Sequence, residues 1–261
     1  MTVEKIRNPA VAGAFYPEDP DELRNMVELF ISKAKEAPSA GHLRGLVVPH
    51  AGYVYSGPTA AYGYKALSKE KIEKAIIIGP SHYAMFPGAC ESGYGFWETP
   101  LGRVKAVSAS GWPISIYPPA HAPEHCLEVQ LPFLQVLFGD GFEIWPLLCG
   151  DIDPQVLAER VMKGLDGKTV VIASSDLSHY KEYEAAKRID RVANEAVPAL
   201  DIARFEREGD ACGKAAILTL MHIAKKKGWS GVKLDYRNSG DTAGPKSNVV
   251  GYGCYAFYEE K

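Results

Sequence analysis

At 261 residues, with 46% hydrophobic and 23% charged side chains, the chain has the composition of a folded globular protein and not of a disordered one. Its 29 basic and 32 acidic residues are mixed along the sequence for a net charge of −3, so no basic stripe offers a path to a phosphate backbone and no nucleic-acid partner is expected. No stretch reaches the ~20 apolar residues that cross a bilayer, and the N-terminus lacks a signal-peptide core, which fits a cytoplasmic protein with no membrane partner.

In chain order, DPDELRNMVELFISKAKEA reads as a helix capped by Asp19 or Asp21, with Leu23, Met26, Val27, Phe30 and Ile31 on one face. After a PSAGH turn, RGLVVPH reads as a strand, TAAYGYKALSK as a helix and EKAIIIGPSH as a strand. The Gly- and Trp-rich ACESGYGFWETPLGRVKAVSASGW reads as a hairpin or edge-strand excursion, in which Trp97 lines a pocket or covers the sheet. EHCLEVQLPFLQVLF (helix), FEIWPLLCG (strand), PQVLAERVMKGL (helix) and KTVVIASSD (strand) resume the alternation. Two long helical patterns follow, YEAAKRIDRVANEAVPAL and GKAAILTLMHIAKKKG; KLDYRNSGDT and NVVGYGCYAFYEE then close the chain as an antiparallel pair. The alternation predicts one α/β domain over 1–261, with a central, largely parallel or mixed sheet flanked by helices. Five cysteines without a C-x-x-C pair read as buried free thiols. G-x-G-x-x-G and the P-loop pattern are both absent, so no nucleotide cofactor is expected.

Three of the seven histidines follow apolar β-type runs: His50 in VVPH, His82 in IIIGPSH and His179 in VIASSDLSH. Ligands of open α/β sheets bind beyond the carboxyl ends of strands, so parallel strands would bring these rings together. Imidazole is the commonest metal ligand, and two histidines with one carboxylate leave positions open, as in non-haem Fe(II) oxygenases. Asp241 in NSGDTAG is the first candidate for the carboxylate; Glu128 and Asp176 are its rivals, and an Asp turn beside Gly240 is the plain alternative. Asp176 and His179 are three apart and would share a face of one helical turn, making His179 a general acid/base tuned by Asp176; the alternative makes Asp176 a helix N-cap.

HAPEH matches the H-x-x-E-H zinc-hydrolase spacing through His121, Glu124 and His125. Pro123 would leave His121 outside the helix, so the match is read as coincidence, with His125 and Glu128 kept as pocket-wall residues. Tyr53 and Tyr55, just after His50, could stack on an aromatic or phenolic group, and Ser81 belongs to the same rim.

RNPAVAGAFYP, VVPHAGYVYSGPTAAYGY, IIIGPSH, ETPLG, EHCLEVQLPFLQ, ASSDLSHY, SGDTAG and VVGYGCYAF, in this order, resemble the Memo family nearly end to end. The resemblance implies the fold of class III extradiol dioxygenases. It puts His50 and His82 where those enzymes hold two iron-ligating histidines, and His179 where they hold the acid/base. Their third ligand is a glutamate and that of animal Memo proteins a cysteine; here Asp241 or Thr242 falls in that place. The implied cofactor is a divalent metal, Fe(II) first, with Zn or Cu as alternatives. The implied activity is a dioxygenase-like oxidoreductase of unknown small-molecule substrate. Animal relatives, described as phosphotyrosine-peptide-binding signalling proteins, imply instead a non-catalytic pocket for a ligand or peptide. A metallohydrolase, resting on HAPEH, is the third reading. Prokaryotic relatives often accompany an AMMECR-type protein and a radical-SAM protein, which implies a shared pathway.

Overall fold

The computed structural model describes residues 5–38, 41–108 and 114–260. The centre of the expected PSAGH turn and the SGW end of the Gly- and Trp-rich excursion lie outside them. Four parallel strands form the middle of a twelve-stranded mixed sheet, in the spatial order Glu143–Cys149, Lys74–Pro80, Thr169–Ser174, His42–Val48. Ile76 stands opposite both Trp145 and Val171, and Leu46 opposite Ile172. The closing strands Ser230–Asn238 and Val249–Glu259 pair antiparallel, and the latter also runs antiparallel to His42–Val48.

The four central strands are almost continuously apolar because both faces of the sheet are covered. Successive side chains divide between two cores: Ile77, Leu46 and Ile172 go to one, Ile76, Ile78, Val47 and Val171 to the other. The first core also takes Leu23 and Val27 from helix Pro20–Lys33, Ala60 and Tyr64 from Tyr53–Leu67, and Phe133 from Leu131–Phe138. The second takes Leu157 from Pro154–Met162, Ala193 from Tyr183–Ala196, and Ile217 from Lys214–Lys227. Each fully buried aliphatic contributes about 1.5–3 kcal/mol, so the central strands anchor whatever their ends carry. Trp97 is buried, with the Arg7 guanidinium 4.2 Å from its ring centroid, and covers the sheet. Cys90, Cys126, Cys149, Cys212 and Cys254 are free thiols, all buried except the half-buried Cys212. Among the described residues no helix is long and apolar enough to cross a membrane.

Three local expectations change. The helix after His50 begins at Tyr53, not at TAAY, and runs through Pro58; Val54, whose carbonyl loses its helical partner there, is 55% exposed. EHCLEVQLPFLQVLF is not one helix: a turn leads into a 3-10 segment, Glu128–Gln130, and the α-helix starts only at Leu131. SSDLSHY holds no helical turn: residues 175–178 are irregular and His179–Lys181 is a short strand paired with Val249–Glu259. Asp176 therefore caps no helix and shares no helical face with His179.

Candidate metal centre

Three of the four central strands end in a short turn that delivers a polar side chain to the same crevice. His50 lies two residues beyond Val48, His82 two beyond Pro80 and Asp176 two beyond Ser174. His125 arrives from the turn before the 3-10 segment, which packs against the end of Lys74–Pro80. That approach requires Gly79, where a Cβ would sit 2.6 Å from the Cys126 sulfur. One donor atom from each of His50, His82 and His125 lies within 4.8 Å of the others. The rings of His82 and His125 stack at 4.7 Å, and His50 meets both edge-on at 5.3 and 5.4 Å.

The surrounding bonds fix which nitrogen is bare in two of the three rings. His82 Nδ1 lies 2.9 Å from Glu124 Oε1, and an ionised carboxylate only accepts, so Nδ1 carries the proton and Nε2 a lone pair. Glu124 also accepts the backbone N–H of His82, His125 and Cys126. Burial works against its charge, yet the His82 side chain and these N–H groups hold its carboxyl down at about 2. His50 Nδ1 lies 3.0 Å from Ser174 Oγ, which donates its own proton to the Cys126 carbonyl and accepts from Gln130 Nε2. Ser174 therefore accepts from His50 Nδ1–H, leaving Nε2 bare, with Cys212 Sγ 3.1 Å from it. The buried Nδ1 of His125 lies 3.3 Å from Glu124 Oε1 but outside hydrogen-bond geometry.

Burial, reinforced by the neighbouring imidazoles, lowers His50 to about 3 and His125 to about 4. Both are neutral at physiological pH, the form that binds metal. Three imidazoles on one point, two of them oriented through Nδ1, suit a divalent transition metal. His82, Glu124 and Cys126 also lie within 4.8 Å of one another. Glu124 there is occupied by N–H donors, and the Cys126 thiol, pushed well up by burial and the Glu124 charge, donates to the Pro80 carbonyl. That group reads as a brace.

A cavity of about 560 Å³ opens over the histidines, lined also by Phe15, Tyr55, Asp176, His179, Tyr180 and Tyr252. His179 Nδ1 lies 2.8 Å from the Leu177 carbonyl, which can only accept, so the lone pair of the neutral ring is at Nε2. The Asp176 carboxylate accepts the His50 backbone N–H at 2.8 Å; burial raises its pKa, opposed by that bond and by the His179 and His125 rings. It secures the turn that carries His50.

The remaining sequence candidates are engaged elsewhere. Asp241 is exposed: its Oδ2 accepts the Asn238 N–H in a capping box of the four-residue helix Ser239–Thr242, and its Oδ1 accepts the Tyr183 hydroxyl at 2.6 Å. Thr242 bonds the Ser239 carbonyl within that turn. Neither lines the cavity. Glu128, turned away by the 3-10 segment, is buried against Arg7 at 2.6 Å and accepts from Ala10 N, Val11 N and the Tyr16 hydroxyl. Tyr53 is buried, its hydroxyl donating to the Val129 carbonyl, whereas Tyr55 reaches the cavity. Ser81 braces its own turn through Ala84 and lines a neighbouring cavity. His121 is buried beside Cys90 and Trp97, away from the three-histidine group, so HAPEH divides: His121 goes to the core, Glu124 and His125 to the crevice. Sequence reasoning set Glu124 aside with that motif; Ser174, Gln130 and Cys212 carried no signal of their own.

Two strand ends and one turn of an α/β sheet thus bring together three imidazoles that could hold a metal ion, with a further histidine over the same cavity. The Memo-like protein family matches residues 7–256, and the chain belongs to the Memo family. It is 40% identical to a MEMO1 family protein of Thermoplasma acidophilum, over 94% of this chain and 96% of the relative. Its identity to one from Thermoplasma volcanium is 41%, over 95% and 96%. For one from Nitrosopumilus maritimus it is 35%, over 97% and 99%.

Proposed function

We propose that the chain is a metal-dependent enzyme whose divalent ion, Fe(II) in the first instance, is held by His50, His82 and His125, and that it acts as a dioxygenase-like oxidoreductase on a small phenolic ligand. The observation that carries this reading is the convergence of three imidazole donors within 4.8 Å at the floor of a cavity of about 560 Å³. A bound ion would lower the pKa of a hydroxyl or water held on it and fix its position. The lone pair at His179 Nε2 can take the proton released there, and the Leu177 carbonyl holds the ring in the tautomer that does so. Glu124 and Ser174 keep His82 and His50 from rotating, and Phe15, whose ring lies 4.8 Å from that of His125, shields the centre from water.

The test is metal content and oxygen uptake on catechols, after anaerobic loading with Fe(II). The parent chain should hold one metal per chain and consume oxygen; His179→Gln should keep the metal and lose most of the uptake. Metal unchanged in His50→Ala, His82→Ala and His125→Ala would end the reading. A second reading, metallohydrolase, is favoured by the third donor being imidazole, since three histidines with an open position also serve catalytic zinc. Ester hydrolysis by the Zn-loaded chain, without oxygen uptake by the Fe-loaded one, would select it. Phosphotyrosine recognition is disfavoured because no Lys or Arg is among the described residues that line the cavity.

A further inference from the structure

We propose that Tyr180 is a ligand-positioning residue, held over the histidine cavity by a β-bulge so that its ring stacks on a flat aromatic ligand; this rests on the cavity being the ligand site under the function proposed above. In a regular strand neighbouring side chains point to opposite faces, yet His179 and Tyr180 line the same cavity. The pairing explains how. His179 stands opposite Val250 and Lys181 opposite Val249, so three residues face two and Tyr180 is the extra one. Its φ is 58°, in the left-handed region where such a bulge normally carries glycine. Among the described residues only Leu200 is the other non-glycine with positive φ.

A bulky side chain at this backbone is strained, and strain of this kind is retained where the side chain serves the site. Packing does not account for the tyrosine, because it is 72% exposed. What the ring does have is position: its centroid lies 5.6 Å from that of His179, and Phe15, Tyr55 and Tyr252 line the same cavity. These aromatic walls, with no lysine or arginine among the described lining residues, fit an uncharged or weakly charged ring carrying an oxygen donor, and about 560 Å³ suits one or two rings.

The experiment compares two chelating probes on the full-length Zn(II)-loaded chain: 4-nitrocatechol, which has a ring to stack, and acetohydroxamate, which does not. Tyr180→Gly keeps the bulge and removes the strain. It should bind 4-nitrocatechol about fivefold to tenfold more weakly than the parent, from the loss of one aromatic contact. Its zinc content and acetohydroxamate affinity should be unchanged and its melting temperature no lower. Tyr180→Phe should stay within about twofold of the parent for both probes. Equal 4-nitrocatechol binding by Tyr180→Gly and the parent overturns the proposal, as does an equal loss of both probes. A parent chain that takes up no zinc overturns the metal reading instead. The metal-free chain then decides Tyr180, where parity between parent and variant, or no 4-nitrocatechol binding by either, overturns it.

Discussion

Glu124 does more at the centre than its place in the sequence suggests. One carboxylate fixes His82 through Nδ1 and gathers the backbone of the turn that carries His125. Removing the partner of a metal-binding histidine typically weakens metal affinity about 10- to 100-fold. Glu124→Gln keeps the volume but loses the acceptor charge, and metal competition titration should show a loss in that range. His121→Ala and Asp241→Ala should leave affinity unchanged, because His121 packs in the core and both Asp241 oxygens are engaged in a surface turn. His50 and His82 were legible as single residues because each follows an apolar run and a proline-containing turn. Asp241 was not, since an acidic residue beside glycine reads alike as a donor or as a turn, and only the Asn238 and Tyr183 partners separate the two.

At the scale of elements, the sequence marked strands well and turns poorly. The central strands have unbroken apolar runs, so their ends, and the crevice beyond them, follow from composition. The segment from His121 to Gln130 has no such signature. Its path is set by contacts more than 100 residues away in sequence: Arg7 bonds the carbonyls of His121 and Glu124 and pairs with Glu128. Those long-range bonds send Glu128 inward and His125 toward the crevice. Glu128→Ala strands the buried Arg7 guanidinium and should cost about 3–5 kcal/mol in denaturant unfolding. Metal bound per folded chain should not change. A variant as stable as the parent would contradict the structural role of the Arg7–Glu128 pair, and one that folds normally and loses metal would place Glu128 in the centre after all.

Taken whole, the molecule buries titratable groups that stay neutral when folded, and this fixes the sign of its response to acid. His50, His121 and His125 fall from 6.5 to about 3, 4 and 4, chiefly through burial. Between about pH 6.5 and 4 the unfolded chain therefore binds protons that the folded metal-free chain refuses, and stability falls as pH falls. Glu124, held at about 2, acts in the same direction below its ordinary value of 4.5, while Asp176, Asp190 and Asp235, all raised chiefly by burial, oppose it. The melting temperature of metal-free protein should decline steadily from pH 7 to 4.5, and a flat or rising profile would contradict the buried neutral histidines.

The central claim is that three imidazoles from separate stretches of chain bind one ion. Anomalous diffraction at the metal edge, from crystals grown with Zn(II) or Fe(II), tests it most directly. The predicted result is one peak within about 2.0–2.2 Å of a ring nitrogen from each of His50, His82 and His125. A map without that peak, or with the ion seated on Asp241, would contradict it.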